Sequence, residues 1–366
     1  MKNDHRAALP AFKGPREGGF FMERYDHGGD IYSRRVELDF SVNVNPLGMP
    51  EAVKAALKND VTNWQTYPDP CCRALRAKLS ERLALPPEFI LCGAGAADLI
   101  VRLCLAVRPE RVLVCAPTFS EYEKGALMAG ATVEQYFLKE ENGFALDGGI
   151  LAALARRPDM FFLCNPNNPT GTLTSPELIK RIADRCEELG VLFVIDECFL
   201  SFTDSPSTRP LLADHPHTIV LDAFTKLYAM AGLRLGYLMC ADEKLLRRIE
   251  NLSQSWSVSS PAQTAGIAAL SCEPEWTART RMYIRRETVF LRSRLRALGL
   301  HVYDGAANYT LFRAPETLGQ ALLDRGILIR SCANYDGLDG TYWRVGLKTR
   351  ADNIQLCNLI EAILNK

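Results

Sequence analysis

Lys226 lies in the run Leu-Asp-Ala-Phe-Thr-Lys-Leu-Tyr-Ala-Met-Ala-Gly-Leu-Arg-Leu-Gly-Tyr (221–237), and two segments upstream carry groups that could share its chemistry. One is the acidic pair Asp196-Glu197, which closes the apolar run Val191-Leu192-Phe193-Val194-Ile195. The other is the loop Asn165-Pro166-Asn167-Asn168-Pro169-Thr170-Gly171. A lysine ε-amine condenses with an aldehyde to a Schiff base, and a carboxylate or side-chain amide nearby can tune the product. Taken singly, each feature has an ordinary explanation: a solvated turn, a tight loop, a surface charge. Their joint order is what argues for a site.

The elements that must position these groups alternate along the chain. From about residue 60 to 250, apolar runs of strand length alternate with helical patterns, the signature of a mostly parallel sheet covered by helices. Residues 111–116 read as one strand and 191–195 as another. The clearest helix spans Ser175 to Leu189, with Ser175 as N-cap, Pro176 at the first helical position and Gly190 as the stop. The stretch Ile90-Leu91-Cys92-Gly93-Ala94-Gly95-Ala96-Ala97-Asp98 supplies a strand, a Gly-x-Gly turn and a helix start, where free N–H groups favour an anion. In such sheets ligands bind at the carboxyl ends of the strands, where the Asn-Pro loop, Asp196 and Lys226 all fall. Beyond Trp256-Ser257-Val258-Ser259-Ser260-Pro261, a long helix (276–298) and short strands at 309–313, 327–330 and 342–347 predict a smaller lobe.

Composition sets the outer bounds. A chain of 366 residues, 48% hydrophobic, exceeds the usual limit of one core and predicts two lobes around a cleft. With 43 basic and 43 acidic residues, it carries no bulk charge to attract nucleic acid or an anionic membrane. The 12 cysteines are scattered without Cys-x-x-Cys, which suggests reduced thiols rather than zinc or a disulfide scaffold. No apolar run reaches spanning length and no signal-like segment opens the chain, so a cytoplasmic location is expected. The first two dozen residues are polar and Gly-rich, which predicts an arm or disordered tail, with Met22 a candidate start. The expected division is 1–26 arm, 27–60 the N-terminal part of the small domain, 61–255 the large domain and 256–366 the rest of the small domain.

Together, Asn-Pro-Asn-Asn-Pro-Thr-Gly, the strand-ending Asp196 and Lys226 followed by Gly-Leu-Arg-Leu-Gly-Tyr resemble the pyridoxal-phosphate enzymes of the aspartate-aminotransferase fold. The resemblance implies an α/β fold of type I, with a large, mostly parallel sheet domain and a smaller α+β domain. It implies pyridoxal 5'-phosphate as cofactor, Lys226 as the Schiff-base lysine and Asp196 as partner of the pyridine nitrogen. Asn168 would donate to the ring's phenolic oxygen, Phe119 would stack on the ring, and Gly95, Ala96, Ala97, Thr225 and Arg234 would hold the phosphate. Tyr67 occupies the position from which relatives reach the partner subunit's cofactor phosphate, which implies a homodimer.

Two further segments narrow the resemblance. Asp26-His27-Gly28-Gly29-Asp30 with Leu38 to Gly48, and Ile327-Leu328-Ile329-Arg330-Ser331-Cys332-Ala333-Asn334-Tyr335 with Tyr342-Trp343-Arg344-Val345, are similar to the threonine-phosphate decarboxylases that serve cobalamin assembly. By position, that similarity implies substrate contacts from His27, Gly28, Asn43, Asn168, Arg330 and Arg344. Phe199 stands where histidinol-phosphate aminotransferases carry a tyrosine. Departures also occur. The glycine turn and Ala223 lack polar side chains that relatives use toward phosphate, and Asp30 replaces an asparagine, which is expected to alter specificity by repelling an anionic substrate. Serine phosphate therefore stands beside threonine phosphate as substrate. A histidinol-phosphate or related aminotransferase is the main rival, and a non-catalytic, cofactor-binding sensor is a third class.

Overall fold

The computed structural model describes residues 27–365, so the segment read from sequence as an arm or tail, with Met22, lies outside the described residues. In chain order the strands are β1 (Leu38–Asp39), β2 (Ile90–Gly93), β3 (Arg111–Ala116), β4 (Thr132–Phe137), β5 (Met160–Cys164), β6 (Leu192–Asp196), β7 (Thr218–Ala223) and β8 (Gly236–Cys240). There follow β9 (His301–Val302), β10 (Tyr309–Arg313), β11 (Ile327–Leu328), β12 (Arg330–Ser331) and β13 (Tyr342–Gly346). Strands β2 to β8 form one sheet in the order β2-β8-β7-β6-β5-β3-β4. It is parallel except for β8, which runs antiparallel to both its neighbours. Every residue of β5, β6 and β8 is buried, because helices cover both faces and a continuous apolar run satisfies both.

Alternation along β5 divides the packing between those faces. Phe161 stacks on Phe193 of β6 at 5.5 Å between centroids, whereas its neighbour Phe162 stacks on Tyr122 at 5.0 Å on the other side. The helix Pro176–Leu189 forms as its caps predict: Ser175 Oγ accepts from the Leu178 N–H at 3.2 Å, and Gly190 ends it at φ 70°. It precedes β6 directly, so its C-terminal stop sets where that strand begins.

The remaining strands build two smaller sheets. One has the antiparallel order β12-β13-β10-β9, and the other pairs β1 with β11 in parallel. The single strand expected over 327–330 is thus two. The chain changes sheets at buried Ile329, so Ile327 and Leu328 face β1 while Arg330 and Ser331 face β13. Phe40 stitches the two sheets, donating its N–H to Leu328 O and accepting from Gly346 N–H, both at 2.8 Å. The long helix Glu275–Ala297 matches its expected span. No helix among the described residues is long and apolar enough to cross a membrane.

Candidate active site

The carboxyl ends of β2, β5, β6 and β7 lie along one edge of the large sheet, and the loops leaving them supply the cavity floor. Asp196 is the last residue of β6, opposite Cys164 on β5 and Leu221 on β7. Its Oδ2 accepts the Tyr122 hydroxyl at 2.7 Å and its Oδ1 accepts the Cys198 N–H at 2.9 Å. Both carboxylate oxygens are therefore held before any ligand arrives.

Lys226 lies on the single helical turn Phe224–Leu227 that follows β7. That turn is pinned from a distant segment, because the Asn45 N–H donates to Lys226 O at 3.0 Å and Asn45 Nδ2 to Leu227 O at 2.7 Å. Its Nζ lies 5.8 Å from the centre of the Phe199 ring. Burial lowers the Lys226 pKa to about 8, and the positive charge of Arg344 adds to the effect. A larger share of the amine is thus neutral, and nucleophilic, near neutral pH.

The Gly-x-Gly turn leads into the helix Ala96–Val107, with Gly95 as N-cap at φ 96°. Only glycine suits this point: its backbone is left-handed, and a Cβ would stand 2.7 Å from Arg234 Nη2. Asp98 does not face the cavity but closes the turn, accepting from the Ala94 N–H at 2.9 Å and from Arg102 at 2.7 Å. The helix N-terminus at Ala96 and Ala97, Thr225 and Arg234 therefore meet with Lys226 in one cavity wall, without polar side chains from the glycine turn.

The Asn-Pro loop divides its asparagines between structure and site. Asn165 Oδ1 accepts from Thr174 N–H at 2.8 Å, and Asn167 bonds Thr118, Thr170 and the Pro117 carbonyl. Asn168 alone of the three lines the cavity, its carbonyl end accepting from Arg344 Nη1.

Over this floor lies a cavity of about 520 Å³. Its walls include Lys226, Asp196, Asn168, Phe119, Ala96, Ala97, Thr225 and Arg234, together with His27, Gly28, Asn43, Arg330 and Arg344. The residues predicted to hold cofactor and those predicted to hold substrate thus share one space. A lysine, a strand-end carboxylate, an aromatic ring and a helix-N-terminal cradle closed by Arg234 fit pyridoxal phosphate. Gly95, predicted with them, caps the helix that starts at Ala96 and does not itself line the cavity. Tyr67 is not in the cavity; it is 77% exposed and stacks on Trp256 at 4.2 Å. Asp30 also departs from expectation: its carboxylate turns to the Ser33 hydroxyl and N–H and does not line the cavity, so the predicted repulsion has no geometric basis.

Arg344, on β13, is 5% exposed and reaches three places: Asn168 Oδ1, the Ser41 carbonyl at 2.7 Å and the Tyr335 hydroxyl at 3.5 Å. Its Nε and the Asn43 Oδ1 are buried without a hydrogen-bond partner among the described residues. Gly28 packs so closely on the Ser41 carbonyl that a side chain there would collide with it, and the Gly29 N–H donates to Ser41 Oγ at 2.7 Å.

Sequence alone does not single out several residues found here. Glu121 bonds His27 Nε2 at 2.8 Å and lies 3.3 Å from Lys124; the His27 contact, with help from Lys124, holds its carboxyl below the ordinary range. Tyr122 holds Asp196, and Ser41, Cys198 and Tyr335 line the walls. Glu121 and Lys124 sit one helical turn apart just after Phe119, a spacing that places them on one face. For Tyr122 no local signal exists, since its partner is 74 residues away.

Comparison with known proteins agrees with this geometry. The model of the family "Aminotransferase class I and II" matches residues 35–363. The threonine-phosphate decarboxylase of Salmonella typhimurium is 37% identical over 92% of this chain and 96% of its own. Among solved structures, the L-threonine-O-3-phosphate decarboxylase of Porphyromonas gingivalis superposes with a TM-score of 0.80 at 26% identity, covering 90% of this chain and 100% of that one. The histidinol-phosphate aminotransferase of Clostridium acetobutylicum gives 0.84 at 28% identity, covering 90% and 99%. The fold, the strand-end site and these matches together establish that the chain belongs to the aminotransferase class I and II family.

Proposed function

We propose that this chain is a pyridoxal-phosphate-dependent decarboxylase of O-phospho-L-threonine or O-phospho-L-serine, yielding the amino-alcohol phosphate used in cobalamin biosynthesis. The observation that carries the reading is the meeting of Lys226 and Asp196 with two arginines, Arg330 and Arg344, in the wall of one cavity. A substrate bearing a carboxylate and a phosphate needs two cationic sites, and Arg330 and Arg344 supply them as planar forks. The similarity to the Salmonella decarboxylase supports the same substrate class.

Bound pyridoxal phosphate supplies an electron sink for the charge left on Cα when a bond there breaks. Lys226 is assigned as the amine that holds the cofactor, and its lowered pKa suits it to exchange and to proton transfer. Asp196, with both oxygens anchored, would face the ring nitrogen, Asn168 and Phe119 would orient the ring, and Ala96, Ala97, Thr225 and Arg234 would take its phosphate. His27, Gly28, Asn43, Arg330 and Arg344 would orient the substrate so that its Cα-carboxylate bond is the one that breaks, which selects decarboxylation over loss of the Cα proton. An exposed Tyr67, with neighbours Trp64 and Trp256 also exposed, supports a homodimer in which Tyr67 serves the partner's site.

Transamination is the second reading, favoured by the somewhat higher TM-score of the Clostridium aminotransferase. The deciding experiment is carbon dioxide release from cofactor-loaded protein given either phospho-amino acid with no keto acid, with Lys226→Ala as blank. Release absent from the blank supports the decarboxylase. No release, with cofactor absorbance lost on histidinol phosphate and regained on a keto acid, makes the protein an aminotransferase.

A further inference from the structure

Arg330 and Arg344 are direct partners across the antiparallel pair β12–β13. Residues so paired project from the same face with Cβ atoms about 5 Å apart, and like charges there repel. A pair of guanidiniums in this arrangement needs something to set their separation.

Tyr335 is placed to do so. The chain leaves β12, turns at Cys332 through the Tyr335 N–H to Cys332 O bond of 3.0 Å, and returns the tyrosine beneath the arginine it has just passed. The Arg330 guanidinium lies 5.4 Å from the Tyr335 ring centre, within cation–π range, while Arg330 Nη2 donates to Asn334 Oδ1 at 2.8 Å. At its other end, the same tyrosine presents its hydroxyl to Arg344 Nη1 at 3.5 Å. Arg344 is steadied separately by the Tyr309 ring, at 5.5 Å, and by the Ser41 carbonyl. Tyr335 is 8% exposed and lines the cavity, so its ring is a rigid spacer with one arginine on its face and the other at its tip.

We propose that Tyr335 is a specificity-determining residue that fixes the distance between the two anion sites and so selects substrates by the span from carboxylate to phosphate. The inference rests on the proposed phospho-amino-acid substrate. A pocket gauged in this way takes an amino acid phosphorylated on its β-oxygen and discriminates against one lengthened by a methylene, because a fixed arginine cannot follow the displaced anion.

The test compares O-phospho-L-serine with O-phospho-L-homoserine, one methylene longer. Apparent Kd values for both are read from the change in bound-cofactor absorbance by stopped flow, before turnover, on holoenzyme of wild type, Tyr335→Phe and Tyr335→Leu. Wild type is expected to prefer the shorter compound by about tenfold or more. Tyr335→Phe keeps the ring beneath Arg330 and loses the hydroxyl, so its preference falls several-fold. Tyr335→Leu loses both contacts and prefers neither compound by more than about twofold. Equal weakening of both compounds with the wild-type ratio intact, in Tyr335→Leu or, should that variant not fold, in Tyr335→Phe, overturns the spacer role and leaves the substrate assignment standing. Wild type that binds neither compound overturns the substrate assignment and this inference with it.

Discussion

Tyr122 Oη and Asp196 Oδ2 are 2.7 Å apart, and the tyrosine ring is clamped against Phe162, so one carboxylate oxygen at the centre of the site is held by a residue that lines none of its walls. Burial, with the Asp196 charge adding to it, holds the Tyr122 hydroxyl well above its ordinary pKa, so it remains a donor throughout the working range. Asp196 needs this donor because an underbonded buried carboxylate is costly. Tyr122→Phe is expected to lower stability by about 1–3 kcal/mol and to weaken cofactor binding, read by thermal melting and by cofactor titration. Asp196→Ala removes the charge itself and is expected to cost on the order of 10²–10³-fold in kcat.

The Lys226 amine gives a pH dependence with a defined sign. With its pKa lowered to about 8, the neutral form grows about tenfold per pH unit below 8 and levels off above it. Uptake of pyridoxal phosphate by apoprotein should follow that curve. A midpoint near 10 instead would show that the amine is not desolvated as the structure requires.

Asp222 predicts an opposite trend in stability. It precedes Ala223, the last residue of β7, accepts from the Tyr237 hydroxyl at 2.8 Å, and its carboxyl is pushed up to about 7, chiefly by burial. The native state therefore holds this proton more tightly than the unfolded chain does. Stability from the group is present below the unfolded carboxyl's ordinary range, declines as pH rises, and is gone above about 7. The loss is on the order of 2–4 kcal/mol. Wild type should melt lower at pH 8 than at pH 5 by more than Asp222→Asn does.

Arg344 and Arg330 should differ in how much they tolerate lysine. Arg344 is buried and serves Asn168, Ser41 and Tyr335 from one planar group, a geometry that an ammonium cannot reproduce. Arg344→Lys is expected to lower kcat/KM by on the order of 10²-fold, and Arg330→Lys, at the half-buried site, by about tenfold. Steady-state kinetics on the phospho-amino acid distinguish them.

Tyr67 tests the proposed assembly. If its hydroxyl serves a neighbouring subunit, Tyr67→Phe weakens cofactor binding about five- to tenfold while the melting point of apoprotein is unchanged. Light scattering should report a dimer for both proteins. A fully active monomer would sink the assembly.

Much of this architecture is visible in the sequence because its signals are local. The helix Pro176–Leu189 carries its own caps, and the strands ending at Ala116 and Asp196 are continuous apolar runs. The antiparallel course of β8 is not visible, since a strand buried on both faces reads alike in either direction. The change of sheet at Ile329 is equally hidden, as pairing partners decide it and two-residue strands have no periodicity. Within the site, Lys226, Asp196 and Asn168 stand out through the joint order of their motifs, and Arg330 and Arg344 only through the resemblance to known enzymes. Tyr122 and Glu121 do not, because each acts on a residue at least 74 positions away. The Asp30 carboxylate misleads for a related reason: a serine three residues on satisfies it, and sequence does not reveal which of its neighbours it meets.

Arg344 joins segments that lie 176 and 303 residues apart from it, at Asn168 and Ser41. Contacts of such separation form only when distant segments of the chain have come together, so a pocket that depends on them belongs to the native state. A phosphorylated ligand that binds there acts on the native state alone, and at a hundredfold excess over its Kd it stabilises that state by about 2.7 kcal/mol. The same compound that reports specificity is thus a chaperone of small-molecule size, drawing newly made or refolding chains toward completion in proportion to how tightly the finished site holds it.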